Sequence, residues 1–299
     1  MMRARLGELG VWAHEATLSA ALARELEELG YGAIWVGGSP GGDLGIVTEL
    51  LSATERIVVA TGIVNVWRSP AADIALAHRR IAAEFPDRFL LGIGIGHPEA
   101  TSDYAHPYQA LVDYLDVLDE GGVPSEQRVF AALGPKVLRL AGDRTAGAHP
   151  YLVTPEHTRL ARASLGPDAL LAPEQKVVID PDPERARAIG RSRVAKPYLE
   201  LSNYLANLRR LGWTEADFAG GGSDDLIDAL VAHGDAATAA ARIRAHRDAG
   251  ADHVPVQLLT APDADPLPGY RALAEQLLGA PQSGAISTPL RTNSACPAP

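Results

Sequence analysis

Residues 84–100 read EFPDRFLLGIGIGHPEA, a charged turn followed by an apolar run that stops at Gly96-His97-Pro98. Strands of a parallel sheet covered on both faces read as short continuous apolar runs, and Phe89, Leu90, Leu91, Ile93 and Ile95 make one of suitable length. Gly92, Gly94 and Gly96 leave alternate positions without a side chain. Glycine inside a strand marks a place where something approaches the backbone closely, and a flat ligand is the expected neighbour. The rival reading of such a glycine-rich stretch is the dinucleotide fingerprint G-x-G-x-x-G. It fails, because the third glycine falls on His97 and Pro98 stands where a helix has to begin.

Upstream, residues 56–64 are rich in β-branched side chains, lead into Asn65-Val66-Trp67-Arg68-Ser69-Pro70, and are followed by an alanine-rich helical stretch at 71–85. Residues 33–36 form another apolar strand that ends in the glycine-rich loop 37–42, with a short helix at 44–53. Residues 6–12 read as a first strand with His14 just past its end, and Leu18, Leu22, Leu26 and Leu29 repeat at helical spacing until Gly30. Downstream, 108–118 is an amphipathic helix and 128–133 a strand. Gly134-Pro135 opens a helix from Lys136, since proline suits a first helical position. Residues 151–153 read as a strand, with Thr154 as N-cap of a helix at 156–165. Residues 176–179 are a seventh strand, helical segments run on to 211, and 224–233 and 235–249 are two more helices. The last strand is 253–259, in which Pro255 implies a bulge or an unpaired position.

Eight strands alternating with helices predict an α/β fold, a (β/α)8 TIM barrel, with an open doubly wound sheet as the alternative. Residues 1–279 contain neither a repeat nor a linker and are expected to form a single domain. Residues 280–299, APQSGAISTPLRTNSACPAP, have the composition of a disordered tail.

The chain has 299 residues, 46% of them hydrophobic, enough for one large core. Its net charge of −10 comes without any cluster of Lys and Arg among aromatics, so neither nucleic acid nor an anionic membrane is an expected partner. A small molecule is. The single cysteine, Cys296, excludes an intrachain disulfide and suits a reducing cytoplasm. No apolar signal core begins the chain, and no run reaches the roughly 18 apolar residues of a spanning helix.

In a barrel of this kind reactive groups sit where strands end. That rule selects His14, Gly37 to Ser39, Asn65 and Trp67, His97, Gly134 and Lys136, Thr154, and Asp180, and Gly38, Ser39 and Gly96 among these loops are candidates to contact a cofactor. His149, before Pro150, stands at the start of its strand and reads as structural. H-E-x-x-H, G-x-S-x-G and C-x-x-C are absent from the sequence, so no metal site is expected and no serine or cysteine nucleophile.

Six segments in this order, GELGVWAH, GYGAIWVGGSPGGDL, VVATGIVNVWRSP, FPDRFLLGIGIGHPE, AALGPKVLRLAGDRTAGAHPYLVTPEH and DAGADHVPVQLL, resemble the luciferase-like flavin and deazaflavin oxidoreductases, in particular the probable coenzyme F420-dependent branch. The resemblance spans nearly all of residues 6–260. It implies a luciferase-like barrel, usually a homodimer, that holds coenzyme F420, or FMN in the monooxygenase branch, at the strand ends. By resemblance Gly62-Ile63 falls at a non-prolyl cis peptide behind the cofactor ring, Asn65 at the ring edge, and Gly134, Pro135 and Lys136 at the cofactor phosphate. A helix N-terminus, which offers free N–H groups and partial positive charge, suits that last role on physical grounds too. Thr154 is placed to add a hydroxyl. His97 falls where some deazaflavin dehydrogenases carry a catalytic carboxylate, and His14 is the rival for proton transfer. Gly38-Ser39 replaces an acidic residue and a histidine of those enzymes. Their proton-transfer scheme and sugar-phosphate substrate are therefore not carried over, and a non-catalytic flavin-binding barrel is the alternative this departure opens; an FMN-dependent monooxygenase is the alternative among enzymes.

Overall fold

A computed structural model of the protein describes residues 5–101, 104–261 and 264–279. Its strands are β1 Leu9–His14, β2 Ala33–Gly37, β3 Val58–Thr61, β4 Val64–Asn65, β5 Phe89–Gly94, β6 Arg128–Phe130, β7 Gly147–Ala148, β8 Leu170–Leu171, β9 Gln175–Ile179, β10 Val231–Gly234 and β11 Val254–Leu258. Every pairing is parallel, in the order β10-β9-β11-β1-β2-β3-β5-β6-β7-β8, with β4 beside β5. β8 and β9 are two parts of one bulged strand. Ala172 N donates to Ala148 O on its β7 side and Asp252 N to Leu171 O on its β11 side, both at 2.9 Å, and these bonds close the ring. With β3 and β4 also taken together, the result is a (β/α)8 barrel, and β10 is an additional strand on the far edge of β9.

Helices α1 Ala20–Glu28, α2 Gly45–Ser52, α3 Ala71–Glu84, α4 Pro107–Glu120, α5 Pro135–Arg144 and α6 Pro155–Leu165 lie between successive barrel strands. Four more, α7 Pro183–Ala195, α8 Ser202–Arg210, α9 Glu215–Phe218 and α10 Asp224–Leu230, separate β9 from β10, and α11 Ala236–Asp248 and α12 Leu267–Leu277 complete the set.

Side chains alternate across each strand. Ala33, Trp35, Val58, Ala60, Leu90 and Val129 share the cluster inside the ring. Ile34, Val36, Val59, Leu91 and Ile93 belong to the larger cluster that includes Ile74, Ile81 and Leu115 of the helices. Each such aliphatic residue, fully withdrawn from water, contributes about 1.5–3 kcal/mol. The turn before β5 is held by Arg88, whose buried guanidinium donates to Ile57 O (3.1 Å), Thr54 O (2.8 Å) and Thr54 Oγ1 (2.6 Å), tying the end of α2 to β3.

The glycines of residues 84–100 do admit a close neighbour, but that neighbour is the protein. A Cβ on Gly92 would stand 1.9 Å from Thr61 O, one on Gly94 2.7 Å from the Ile63 side chain, and one on Gly96 2.6 Å from Asn65 Nδ2. Residues 61, 63 and 65 thus dock against 92, 94 and 96 with the period of a strand. The expected third strand at 56–64 is consequently broken into β3 and β4 at Gly62-Ile63.

Other expectations need correction. Residues 151–153 are not a strand; the strand here is β7, followed by a loop in which Leu152 has φ 54°. His149 therefore follows its strand instead of preceding it. Two-residue strands such as β7 and β8 are too short for any alternation to show in sequence. The helix expected at 224–233 ends at Leu230, because Val231 to Gly234 pair with Lys176 to Ile179. Pro255 causes no bulge toward β1, where it lies opposite Gly10, while pairing with β9 begins only at Val256. The expected tail at 280–299, with Cys296, lies outside the described residues. No helix among the described residues is long and apolar enough to cross a membrane.

Candidate functional site

The loops after the strands enclose a cavity of about 500 Å³. Its floor is built around Trp12 of β1. The indole Nε1 donates to Gly62 O at 3.1 Å, and the ring fits only because Gly37 and Gly62 lack side chains: a Cβ there would come within 2.0 and 2.7 Å of it. The Gly62–Ile63 peptide is cis, as the resemblance implied. Beside it Asn65 Oδ1 accepts from Trp67 N at 2.9 Å, which fixes the amide at the cavity edge against Gly96.

His14 and His97 both reach the cavity from strand ends. His14 is exposed. Its Nδ1 accepts from Ala16 N at 3.2 Å and its ring covers Gly38 (φ 94°), next to Ser39 (φ 59°). Both of these loop residues also line the cavity. His97 is half-buried, with Nδ1 3.2 Å from Asn203 Oδ1 and its ring against Tyr204 of α8. Burial holds the imidazole below the usual histidine range; the Asn203 contact and Glu99 oppose that shift. Glu99 in turn accepts from Ser202 N at 2.9 Å, so the α8 segment is fastened to the loop carrying His97.

The opposite requirement, a place for an anion, is met at the start of α5. Gly134 is its N-cap with no side-chain cap, and Lys136 lines the cavity with its ammonium 3.9 Å from the centre of the Tyr108 ring. Arg210, which sequence reasoning missed, brings its guanidinium to 3.9 Å of where a Gly134 Cβ would be. Free amides and two cations suit a phosphate. Lys136→Glu is therefore expected to weaken binding of a phosphate-bearing cofactor by about 1–3 kcal/mol at low salt, measured by fluorescence titration. An unchanged Kd makes Lys136 a merely solvated lysine.

Of the residues selected from the sequence, Gly37, Trp67, Pro135, Thr154 and Asp180 are absent from the cavity wall. Pro135 only starts the helix, and Thr154 is buried with its hydroxyl accepting from His157 N at 3.3 Å as the cap of α6. The largest omission from the sequence reading is aromatic. Trp12, Tyr151, Tyr198, Tyr204 and His97 form an arc in which successive ring centres lie 5.2, 5.4, 5.0 and 5.6 Å apart. Five of the eight tyrosines of the chain line this one cavity. His149 lines it as well. Its Nδ1 is 2.7 Å from Ala172 O, its ring is stacked on Trp35 at 4.2 Å, and burial pushes it down to about 4, so it is neutral.

The site is thus a cavity at the strand ends of a closed parallel barrel, with an anion-suited helix start on its wall and a cis peptide on its floor. Residues 11–121 match the family model of luciferase-like monooxygenases. No curated protein sequence matches the chain. Among solved structures, an F420-dependent secondary alcohol dehydrogenase in complex with an F420-acetone adduct is similar over 91% of this chain and 98% of its own, with TM-score 0.72 and 15% identity. The coenzyme F420-dependent tetrahydromethanopterin reductase from Methanopyrus kandleri covers the same shares, with TM-score 0.67 and 16% identity. The oxygenating constituent of 3,6-diketocamphane monooxygenase from Pseudomonas putida, in complex with FMN, covers 90% of this chain and 96% of its own, with TM-score 0.65 and 14% identity. At these identities the likeness is one of fold.

Proposed function

We propose that the protein is a cytoplasmic F420-dependent oxidoreductase that moves a hydride between the deazaflavin and a small organic substrate, with residues 1–279 acting as one domain. The observation that carries this reading is the polarity of the cavity: an anion-suited helix start at Gly134 and Lys136, and an uncharged aromatic arc that ends at His97. This arrangement fits a phosphate-bearing cofactor beside an apolar reactant. Gly134, Lys136 and Arg210 would hold the phosphate, and Trp12, Ile63 and Asn65 the ring. A bound deazaflavin supplies hydride chemistry, and the protein supplies orientation and proton movement.

His97 is the group assigned to the proton. It is half-buried, held by Asn203, and biased by burial toward the neutral form that can accept one. A positioned acid or base contributes about 10²–10⁴-fold, so His97→Gln should lower kcat at least tenfold while leaving deazaflavin affinity within about twofold. If His14→Gln, and not His97→Gln, removes turnover, the role passes to His14. An FMN-dependent monooxygenase is the second reading, supported by the likeness in fold to the FMN-bound 3,6-diketocamphane monooxygenase. Titration with coenzyme F420 and with FMN, followed by fluorescence quenching, separates the two, and binding of neither overturns both. The homodimer implied by the resemblance would cover Leu76 of α3 and Val117 of α4, which are exposed in the single chain.

A further inference from the structure

Behind the aromatic arc lies a buried ion pair that the proton scheme above does not use. Lys176 and Glu174, each about 1% exposed, stand 3.2 Å apart inside the barrel. Withdrawing two charges from water costs more than their attraction returns unless further hydrogen bonds complete the set. Here they do. The three hydrogens of Lys176 go to Glu174 Oε1, Gln257 Oε1 (2.5 Å) and the Tyr151 oxygen (2.7 Å). Glu174 Oε2 accepts from Leu152 N at 3.1 Å.

The hydrogen bonds at Tyr151 exceed what its neighbours need. Its hydroxyl donates to Gln257 Oε1 at 2.6 Å, an oxygen that Lys176 already satisfies, while its own oxygen accepts from Lys176 and from the Tyr198 hydroxyl at 3.1 Å. Its proton can therefore turn to another acceptor without orphaning Gln257. Two donors into a phenol oxygen, one of them charged, also make its O–H a stronger donor. Tyr151 and Tyr198 line the cavity, whereas Lys176 and Glu174 do not. The charge thus acts through the tyrosines and is withheld from ligands.

We propose that Tyr151, backed by Tyr198 and Lys176, is the subsite that receives the carbonyl oxygen of a flat, uncharged substrate. This rests on the oxidoreductase reading only in calling that ligand a substrate. The flat shape follows from the arc of rings, which offers π faces. The lack of charge follows from the wall, where among the described residues Lys136 is the one Lys, Arg, Asp or Glu side chain. Burial and the Glu174 carboxylate keep the Tyr151 phenol above its ordinary range, so at neutral pH it retains the proton it has to donate. Lys176 and Tyr198 are positioning groups; Tyr151 is the contact.

The test uses the full-length protein without cofactor and 4-(dimethylamino)cinnamaldehyde, an aromatic carbonyl compound whose visible absorption moves to longer wavelength when its oxygen accepts a strong hydrogen bond. The wild type should bind it with that shift. Tyr151→Phe should lose the shift and bind about fivefold more weakly, the scale of one hydrogen bond. Tyr198→Phe should reduce the shift, and it serves as the informative variant if Tyr151→Phe does not fold. No binding by the wild type, binding without a shift, or a shift that survives both variants overturns the subsite. Titration of the same samples with coenzyme F420 and FMN keeps the two readings apart. If the probe shifts but neither cofactor binds, the oxidoreductase reading falls and the subsite stands; if a cofactor binds and the probe is not shifted, the subsite alone falls.

Discussion

Between pH 7 and pH 5 the protein is expected to lose several kcal/mol of stability. Four histidines are buried as neutral groups: burial pushes His78, His149 and His253 down to about 4 and His246 to about 3. A histidine whose folded pKa lies below its unfolded value of about 6.5 binds fewer protons when folded, so it contributes stability that is fully present above pH 6.5. That contribution is lost as the pH falls from 6.5 to the folded value. At pH 5 each group has lost at most about 2 kcal/mol. The contacts give the reason for such low affinities. His253 Nε2 accepts from Trp35 Nε1 at 3.0 Å, and a proton there would face another N–H. His78 packs on Phe89 with no partner at either nitrogen among the described residues. Urea denaturation at pH 7, 6 and 5 measures the slope, and a flat profile over that interval refutes it. His78→Leu should remove about a quarter of the dependence while costing little at pH 7.

The second large effect concerns the ion pair. Lys176→Met leaves Glu174 buried without its counter-charge and should cost about 3–5 kcal/mol, the usual result of removing one partner of such a pair. Lys176→Met combined with Glu174→Gln removes both charges and keeps an acceptor for Leu152 N, so it should recover most of that loss. Thermal or urea unfolding of the three proteins is sufficient. If the single and double variants are equally unstable, lost packing and not the stranded carboxylate is responsible.

The readings that survived are those in which a local pattern has one physical meaning. Residues 89–94 are apolar enough to read as a doubly covered strand, and glycines at 92, 94 and 96 announce a close neighbour. Their partner could not be read, because Thr61, Ile63 and Asn65 meet them only through the register of β3 and β4 against β5. The strand-end rule found His14, His97, Gly134 and Lys136, since the direction of a parallel barrel strand is set by chain order alone. It misplaced His149 because β7 ends at Ala148, before the strand expected at 151–153 begins, and it included Thr154, whose hydroxyl serves the cap of α6.

By itself the sequence determined the alternation of strands and helices, the sign and sparseness of charge, and which polar groups stand at strand ends. All of these depend on near neighbours along the chain. Only the tertiary structure decided that Trp12, Tyr151, Tyr198, Tyr204 and His97 share one wall, and that Lys176 and Glu174 sit behind it. These residues come from five separate segments of the chain. Their meeting follows from closure of the ring and from the path of the chain between β9 and β10, for which local propensity carries no signal.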